Sequence, residues 1–483
     1  MHPVTSRPCA DAIHPTFQSR IRVPCSLISP IPNTMAKVFP FRPVTYSAIK
    51  DLSTVVAPPY DVLDGAAKSR LIAANPKNIV SVDLPHTPAK ELGPKEAYDA
   101  AAKLWESWLK DGTLTRAALP TMFVYRQTFK SEDGTRTFKR TGMACCVETV
   151  PFGPRKGGGV LPHEETFSGP KQDRLALMTA TDTQLSPIFG LHADDQRKAT
   201  ELLSRVIAKR KQPDRTAKTA DGTLHELWQV QDSATLREYE EALSAEDIFI
   251  ADGHHRYNTS LNYLSALESS GAIAPNHPAR RCMMVLIGMS DPGLEIRPTH
   301  RVLGGMKSYS FDAFIKASAD VIRCEPIAGD LHALGAALES ASGMGERRFG
   351  LWDFASRRGM LAIPAQDDSL AVRFPDKPEA WRDLTVAFCQ YVIVERVCQG
   401  ALNGGEPVKW AFPHTIREVE EIGSGAETGA GGGKNFAQLA VIVRPTPLDA
   451  VKKVSRANEL MPQKSTFFYP KLATGLFMHS LKA

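Results

Sequence analysis

Long apolar runs are missing from this 483-residue chain. No window approaches the roughly 18 consecutive apolar residues of a membrane span, so no transmembrane helix is expected. Cys-x-x-Cys pairs are also missing. The eight cysteines stand at Cys9, Cys25, Cys145, Cys146, Cys282, Cys324, Cys389 and Cys398, several of them inside apolar runs. That spacing excludes a zinc ribbon and a disulfide scaffold, and it reads as the reduced thiols of a cytoplasmic protein. A strong charge of either sign is lacking as well. The formal net charge of +5 is small for this length, which gives no case for a nucleic-acid-binding protein.

Several catalytic signatures are absent. There is no Gly-x-Ser-x-Gly elbow, His-Glu-x-x-His helix, kinase signature set or dinucleotide fingerprint. The run ending Gly431-Gly432-Gly433-Lys434 has the look of a P-loop, but Asn435 follows the lysine and Thr428 stands where the first glycine belongs.

With 43% hydrophobic and 23% charged residues, the composition is that of a soluble globular protein large enough for two or three domains, and the succession of strand and helix signals along it reads as mixed α/β. Residues 1–34 differ from the rest, with six prolines, three arginines and one acidic residue. They lack the apolar core of a secretory signal and read as a disordered extension or a misassigned start, with Met35 looking like the native beginning. Three blocks follow. Residues 35–150 alternate strand and helix signals, with Asn78–Leu84 expected as a strand and a hairpin expected about Glu132-Asp133-Gly134. Residues 151–302 carry the polar motifs. Residues 303–483 mix helices and strands and hold a Gly-rich surface loop at 423–433.

The most informative segment is Asp247–Tyr257. A short apolar run breaks at Asp252-Gly253, and a helical pattern begins with His254, His255 and Arg256. Unpaired backbone N–H groups and the positive end of the helix dipole make such a start an anion site. Cationic side chains there oppose the dipole unless an anion lies between them. Gly253, His254, His255 and Arg256 are therefore candidate phosphate ligands; the competing reading is a solvated basic turn.

Four further constellations stand out. Pro162-His163-Glu164-Glu165-Thr166, followed by Lys171, Asp173 and Arg174, suits a loop that folds over a ligand. Its carboxylates can act as a general base or hold a cation, and its basic residues can hold phosphate oxygens; alternatively it is a helix start with a solvated charged face. Ile296–Arg301 ends a strand in Thr299, His300 and Arg301, which could complete an anion pocket or simply finish the strand. Met461–Lys471 offers Lys464, Lys471, hydroxyls and three aromatic residues. Ala57-Pro58-Pro59-Tyr60-Asp61 presets a backbone that could aim Tyr60 and Asp61 into a cleft.

From Met35 onward the chain resembles the bacterial and archaeal "domain of unknown function 1015" family, through PFRPVTYS, VVAPPYDV, PHEETFSGPKQDR, IADGHHRY, PTHR and MPQKSTFFYPKLATGL. Its strand–DGHHR–helix unit is locally similar to the ParB/sulfiredoxin superfamily, whose members bind nucleotide phosphates at that helix start and one branch of which phosphorylates free serine. The resemblance implies a phosphate site of this strand–turn–helix kind.

The leading expectation is phosphoryl transfer from ATP or ADP with Mg2+ to a small hydroxylated metabolite such as serine. Glu164 or Glu165 would be the base, with His163 and His255 beside it. Lys171, Arg174 and Lys464 would join the turn in binding phosphate, and Asp252 and Asp173 would hold the metal. The alternatives are a transition-metal phosphohydrolase using His163, Glu164, Asp252, His254 and His255, and a non-catalytic nucleotide sensor. The expected partners are a small-molecule substrate and a nucleotide, with neither nucleic acid nor membrane; the oligomeric state is left open.

Overall fold

The Asp133-Gly134 turn joins two long antiparallel strands, β1 (Met122–Lys130) and β2 (Thr137–Glu148). In this computed structural model, residues 37–47, 49–89, 91–165, 168–341, 347–426, 428 and 431–482 are described. The expected extension at residues 1–34, Thr166 of the acidic motif and parts of the Gly-rich loop lie outside them.

Four elements complete the frame of the candidate site. Helix α1 spans Ser168–Thr181, strand β3 spans Ile188–His192, strand β4 spans Ile248–Asp252 and helix α2 spans His254–Ser270. Strand β5, Arg281–Gly288, then returns through the middle of the sheet. The nine-stranded sheet runs from Val160–Leu161 through β4, β3, β5, β2 and β1 to Leu224–Val230 and Arg215–Lys218, with Val38–Phe39 paired to β2. It is mixed: β4 pairs parallel with Val160–Leu161 and antiparallel with β3, and β5 pairs parallel with β3 and antiparallel with β2. β2 and β5 are hydrogen-bonded along most of their lengths, so the block boundary expected at 150/151 falls inside one sheet.

Both faces of this sheet are covered, which explains why its strands read as continuous apolar runs rather than alternating ones. Adjacent Cys145 and Cys146 point into different apolar cores, as the period of a strand requires. Helices α1 and α2 pack together through Leu175, Met178, Tyr263, Leu264 and Leu267.

Residues 301–443 supply a second, six-stranded antiparallel sheet, in the order Ile322–Ile327, Arg358–Pro364, Phe349–Asp353, Ala437–Val443, Arg301–Gly304 and Lys409–Ala411. The chain then returns to the first half. Phe467–Tyr469 pairs with Glu295–Arg297, and Met478–Ser480 pairs with Pro43–Tyr46 and Thr183–Gln184. Residues 35–483 thus form one unit, of mixed α/β class. Among the described residues no helix is long and apolar enough to cross a membrane.

Asn78–Leu84 departs from expectation: Val80–Asp83 is a helical turn, not a strand. Asn78 decides this. Its side-chain carbonyl accepts from Val80 N–H, and its amide donates to the Thr54 and Val56 carbonyls. A run buried on every side carries no periodicity to separate strand from helix.

Candidate functional site

Strand β4 delivers the site through a bulge. Ile250 pairs with Gly190 but Asp252 pairs with Phe189, which leaves Ala251 as the extra residue. The bulge turns the strand end and re-aims Asp252. Gly253 follows at φ 100° and opens α2 without a side-chain cap. A Cβ at Gly253 would lie 3.1 Å from the guanidinium carbon of Arg256, in a backbone region that L side chains rarely adopt. The glycine therefore lets Arg256 fold back beneath its own turn.

Arg256 is committed there. It donates to the Asp252 carboxylate and to the Pro187 carbonyl. The other Asp252 oxygen accepts from Lys471, brought from the C-terminal segment. With a cation on each oxygen, the Asp252 carboxyl is held well below the usual range although burial opposes this.

The histidines are neutral. Burial pushes His163 and His254 down, and His255 to about 4. His163 Nδ1–H donates to the Ile250 carbonyl at 2.8 Å, which leaves Nε2 of the neutral ring as an acceptor 2.7 Å from the Thr466 hydroxyl. His254 Nε2 accepts from the backbone N–H of His163 at 3.2 Å, and the two rings meet edge-on with centroids 4.7 Å apart. Glu164 Oε1 lies 2.9 Å from both the backbone nitrogen and the hydroxyl of Thr466. His163, Thr466 and Glu164 thus form a hydrogen-bonded chain. Met461 N–H fastens it by donating to the His163 carbonyl at 2.7 Å.

The positive charge of the site comes from lysines. Asp61, Lys171, Lys464 and Arg256 all act electrostatically on His255, and no carboxylate lies within ion-pair distance of Lys171 or Lys464 among the described residues. Lys464 sits at φ 59°, a left-handed conformation that is strained for a lysine. It is held by Arg301, which donates to its carbonyl at 3.3 Å, and by Thr446, which donates to the Ser465 carbonyl at 2.7 Å. Asp61 Oδ1 is buried with no hydrogen-bond partner among the described residues.

Behind this surface Arg174 lies over the Tyr60 ring at 4.0 Å and reaches Asp173 and Asp83. All five sequence constellations therefore meet. The separation between Glu164 and Thr466 is 302 residues.

Residues 38–372 match the family described as a protein of unknown function, DUF1015. The chain belongs to this family. No curated protein matches. Among solved structures, a free serine kinase in complex with ADP is 12% identical with a TM-score of 0.32, over 64% of this chain and 83% of that one. SbnI with C-terminal truncation, from Staphylococcus aureus, is 8% identical with a TM-score of 0.29, over 65% and 82%. A conserved hypothetical protein from Pyrococcus furiosus is 13% identical with a TM-score of 0.29, over 64% and 86%. Likenesses this distant carry no functional inference for this family member, and its chemistry rests on its own residues.

Those residues correct the metal expectations. Both oxygens of Asp252 are taken by cations. Asp173 is fully buried, accepts from His86 Nε2 and Tyr98 hydroxyl at 2.8 Å each, and pairs its second oxygen with Arg174. His163 uses both ring nitrogens internally and His254 uses Nε2. Among the described residues no group of three His, Cys, Asp or Glu side chains could hold a metal ion. Asp252 and Asp173 therefore do not fit as magnesium ligands, since their oxygens already meet protons or cations. Lys171, Asp173 and Arg174 lie on α1 rather than in a loop.

His300 does not end a strand but lies in the link between Glu295–Arg297 and Arg301–Gly304, just before the second one begins. Its N–H donates to the Pro413 carbonyl, and Nδ1 accepts from Val443 N–H at 3.2 Å. Glu165 is exposed beside the loop, and its electrostatic effect falls on Tyr391. The sequence reading passed over Asp83, His86 and Tyr98, which lie in regions without a motif. It also preferred Lys464 to Lys471 as a site residue; only the fold shows that Lys471 reaches Asp252.

Proposed function

We propose that this protein binds a nucleotide phosphate at the opening of α2 and transfers a phosphoryl group to the hydroxyl of a small metabolite such as free serine. The observation that carries the reading is the pair Lys171 and Lys464. Both act electrostatically on His255 at a helix start without a side-chain cap, and neither has an ion-pair partner among the described residues. Cations gathered beside a helix N-terminus oppose its dipole, and a phosphate satisfies the lysines, the first-turn N–H groups and the dipole together.

In this reading the phosphate rests between Lys171, Lys464 and the 253–256 backbone. His255 stays neutral and donates or accepts a hydrogen bond. Arg256 supports the turn from below through Asp252. Glu164 takes the acceptor's hydroxyl proton as the new oxygen–phosphorus bond forms and the bond to the bridging oxygen of the nucleotide breaks. While Glu164 is ionised the Thr466 hydroxyl donates to it; once protonated, Glu164 can donate to Thr466, whose hydrogen then turns to His163 Nε2. The chain of three residues thereby supports both protonation states of the base.

The test is calorimetric titration with ADP and ATP, followed by a turnover assay with serine and other small hydroxylated acceptors. Binding with turnover supports the proposal. Binding without turnover on any acceptor makes the protein a nucleotide sensor, and absence of binding overturns the phosphate site itself.

A further inference from the structure

A second ligand position lies below the DGHHR turn, between α1, α2 and the Thr183–Gln184 strand. It is a cavity of about 40 Å³, walled by Leu177, Met178 and Met283 and lined on its polar side by Arg174, Arg256 and Ser260. A single water needs roughly 10–15 Å³ on this measure, so the space holds about three waters, or one molecule of two or three carbons.

Two guanidinium groups face this space, and one is incompletely used. Arg174 is 6% exposed. Its Nε–H takes Asp173 Oδ2 at 2.7 Å, and Nη1 takes the Asp83 carbonyl at 2.6 Å. Nη2 lies 2.7 Å from the same Asp173 oxygen, yet its N–H bonds do not point there, and it has no hydrogen-bond partner among the described residues. A buried guanidinium N–H without an acceptor is costly.

Asp173 lies against this guanidinium, and a second carboxylate, Asp83, lines the cavity itself. Asp83 Oδ1 is 3.5 Å from Arg174 Nη1, its other oxygen accepts from Ser186, and burial pushes the Asp83 carboxyl up toward its neutral form. The hydroxyl of Ser260 on α2 and the amide of Gln184 border the same space, 3.2 Å from each other. Ser260 donates to the Arg256 carbonyl and the Gln184 amide to Ser260 and the Arg281 carbonyl, so the donor left for an oxyanion is Arg174 Nη2, with apolar walls for a short carbon chain.

We infer that this cavity binds a small organic carboxylate, with its oxygens on Arg174 Nη2 and the Arg256 side of the box and its short chain against Leu177, Met178 and Met283. The site is separate from the phosphate position, with Arg256 standing between them. Binding there does not require the phosphoryl-transfer reading to hold.

The experiment titrates the full chain calorimetrically with sodium glycolate and sodium acetate, against ethylene glycol and sodium chloride as matched controls. ADP is titrated in parallel. Saturable binding of the two carboxylates, and not of ethylene glycol or chloride, is expected. Ser260→Val, which narrows the cavity and removes no charge, should weaken carboxylate binding by roughly tenfold or more while ADP binding persists. Arg174→Gln should abolish it, and the Ser260 variant keeps the test decisive if loss of that buried arginine prevents folding. No saturable carboxylate binding, or equal binding by wild type and Ser260→Val, overturns the inference and shows that the cavity holds water alone. Loss of ADP binding with carboxylate binding intact overturns the phosphate site instead.

Discussion

Lys471 donates its ammonium to Asp252 across 219 residues of sequence, and Arg256 holds the other oxygen of the same carboxylate. The side chains of Lys471 and Asp252 are only 17% and 16% exposed. The segment around Lys471 is thereby fastened to the turn that opens α2 in the middle of the chain.

Lys471→Met should lower stability by about 2 kcal/mol in denaturant unfolding, because it leaves a largely buried carboxylate with one cation instead of two. Asp252→Asn should cost a similar amount. The double variant should cost clearly less than the sum of the singles, because the two residues interact. Strict additivity would show that the pair is not coupled.

Lys171→Ala and Lys464→Ala should behave in the opposite way. Neither lysine has an ion-pair partner among the described residues, so stability should change by no more than about 0.5 kcal/mol. ADP affinity, by contrast, should fall by roughly tenfold for each, and its dependence on salt should flatten. Unchanged affinity in both variants would remove the lysines from the phosphate site.

Gly253→Ala places a side chain at φ 100° and against Arg256. A cost of about 1–2 kcal/mol is expected, together with loss of nucleotide-dependent thermal stabilisation. An alanine variant that binds ADP as wild type does would show that the fold of this turn is not what creates the site.

Glu164→Gln should spare ADP binding and reduce turnover by at least roughly a hundredfold, as expected for a general base. Thr466→Val removes the hydroxyl that links Glu164 to His163 but keeps the backbone contact. Its effect should fall on kcat rather than KM and should shift the acid limb of the pH–rate profile. A Thr466→Ser variant should restore that profile. Failure of serine to rescue would reduce Thr466 to a packing role.

Acid sensitivity follows from buried neutral histidines. His192, His225, His414 and His479 are each pushed down by burial to about 4, and His300 to about 3. Below pH 6.5 the unfolded chain takes up protons that the folded chain refuses. Stability is therefore full above about pH 6.5 and falls as pH drops toward 4, by up to about 1.4 kcal/mol per pH unit for each such histidine. Urea unfolding between pH 7 and pH 4.5 measures this. A flat profile would mean that these rings are solvated.

The local elements were legible where one residue dictates one backbone. Asp133-Gly134 announces its hairpin, and Gly253 before two histidines announces a strand ending in a helix. The Cys145-Cys146 pair announces a strand with two buried faces. Asn78–Leu84 was not legible, because its outcome depends on hydrogen bonds from Asn78 to Thr54 and Val56, residues whose proximity is itself a product of folding. The metal roles expected of Asp173 and Asp252 misled for a related reason. A carboxylate in a motif looks available until its partners appear, and those partners, His86, Tyr98, Arg174 and Lys471, come from elsewhere in the chain.

The sequence by itself determined that this chain holds basic and acidic groups at turns suited to an anion, since glycine, proline and helix-start chemistry act over a few residues. Tertiary structure alone decided which charges neutralise one another and which remain free. Ion pairing depends on distances of a few ångströms between segments hundreds of residues apart. By that criterion Asp252, Asp173 and Arg256 are paired internally, Glu164 is bound to Thr466, and Lys171 and Lys464 have no ion-pair partner among the described residues.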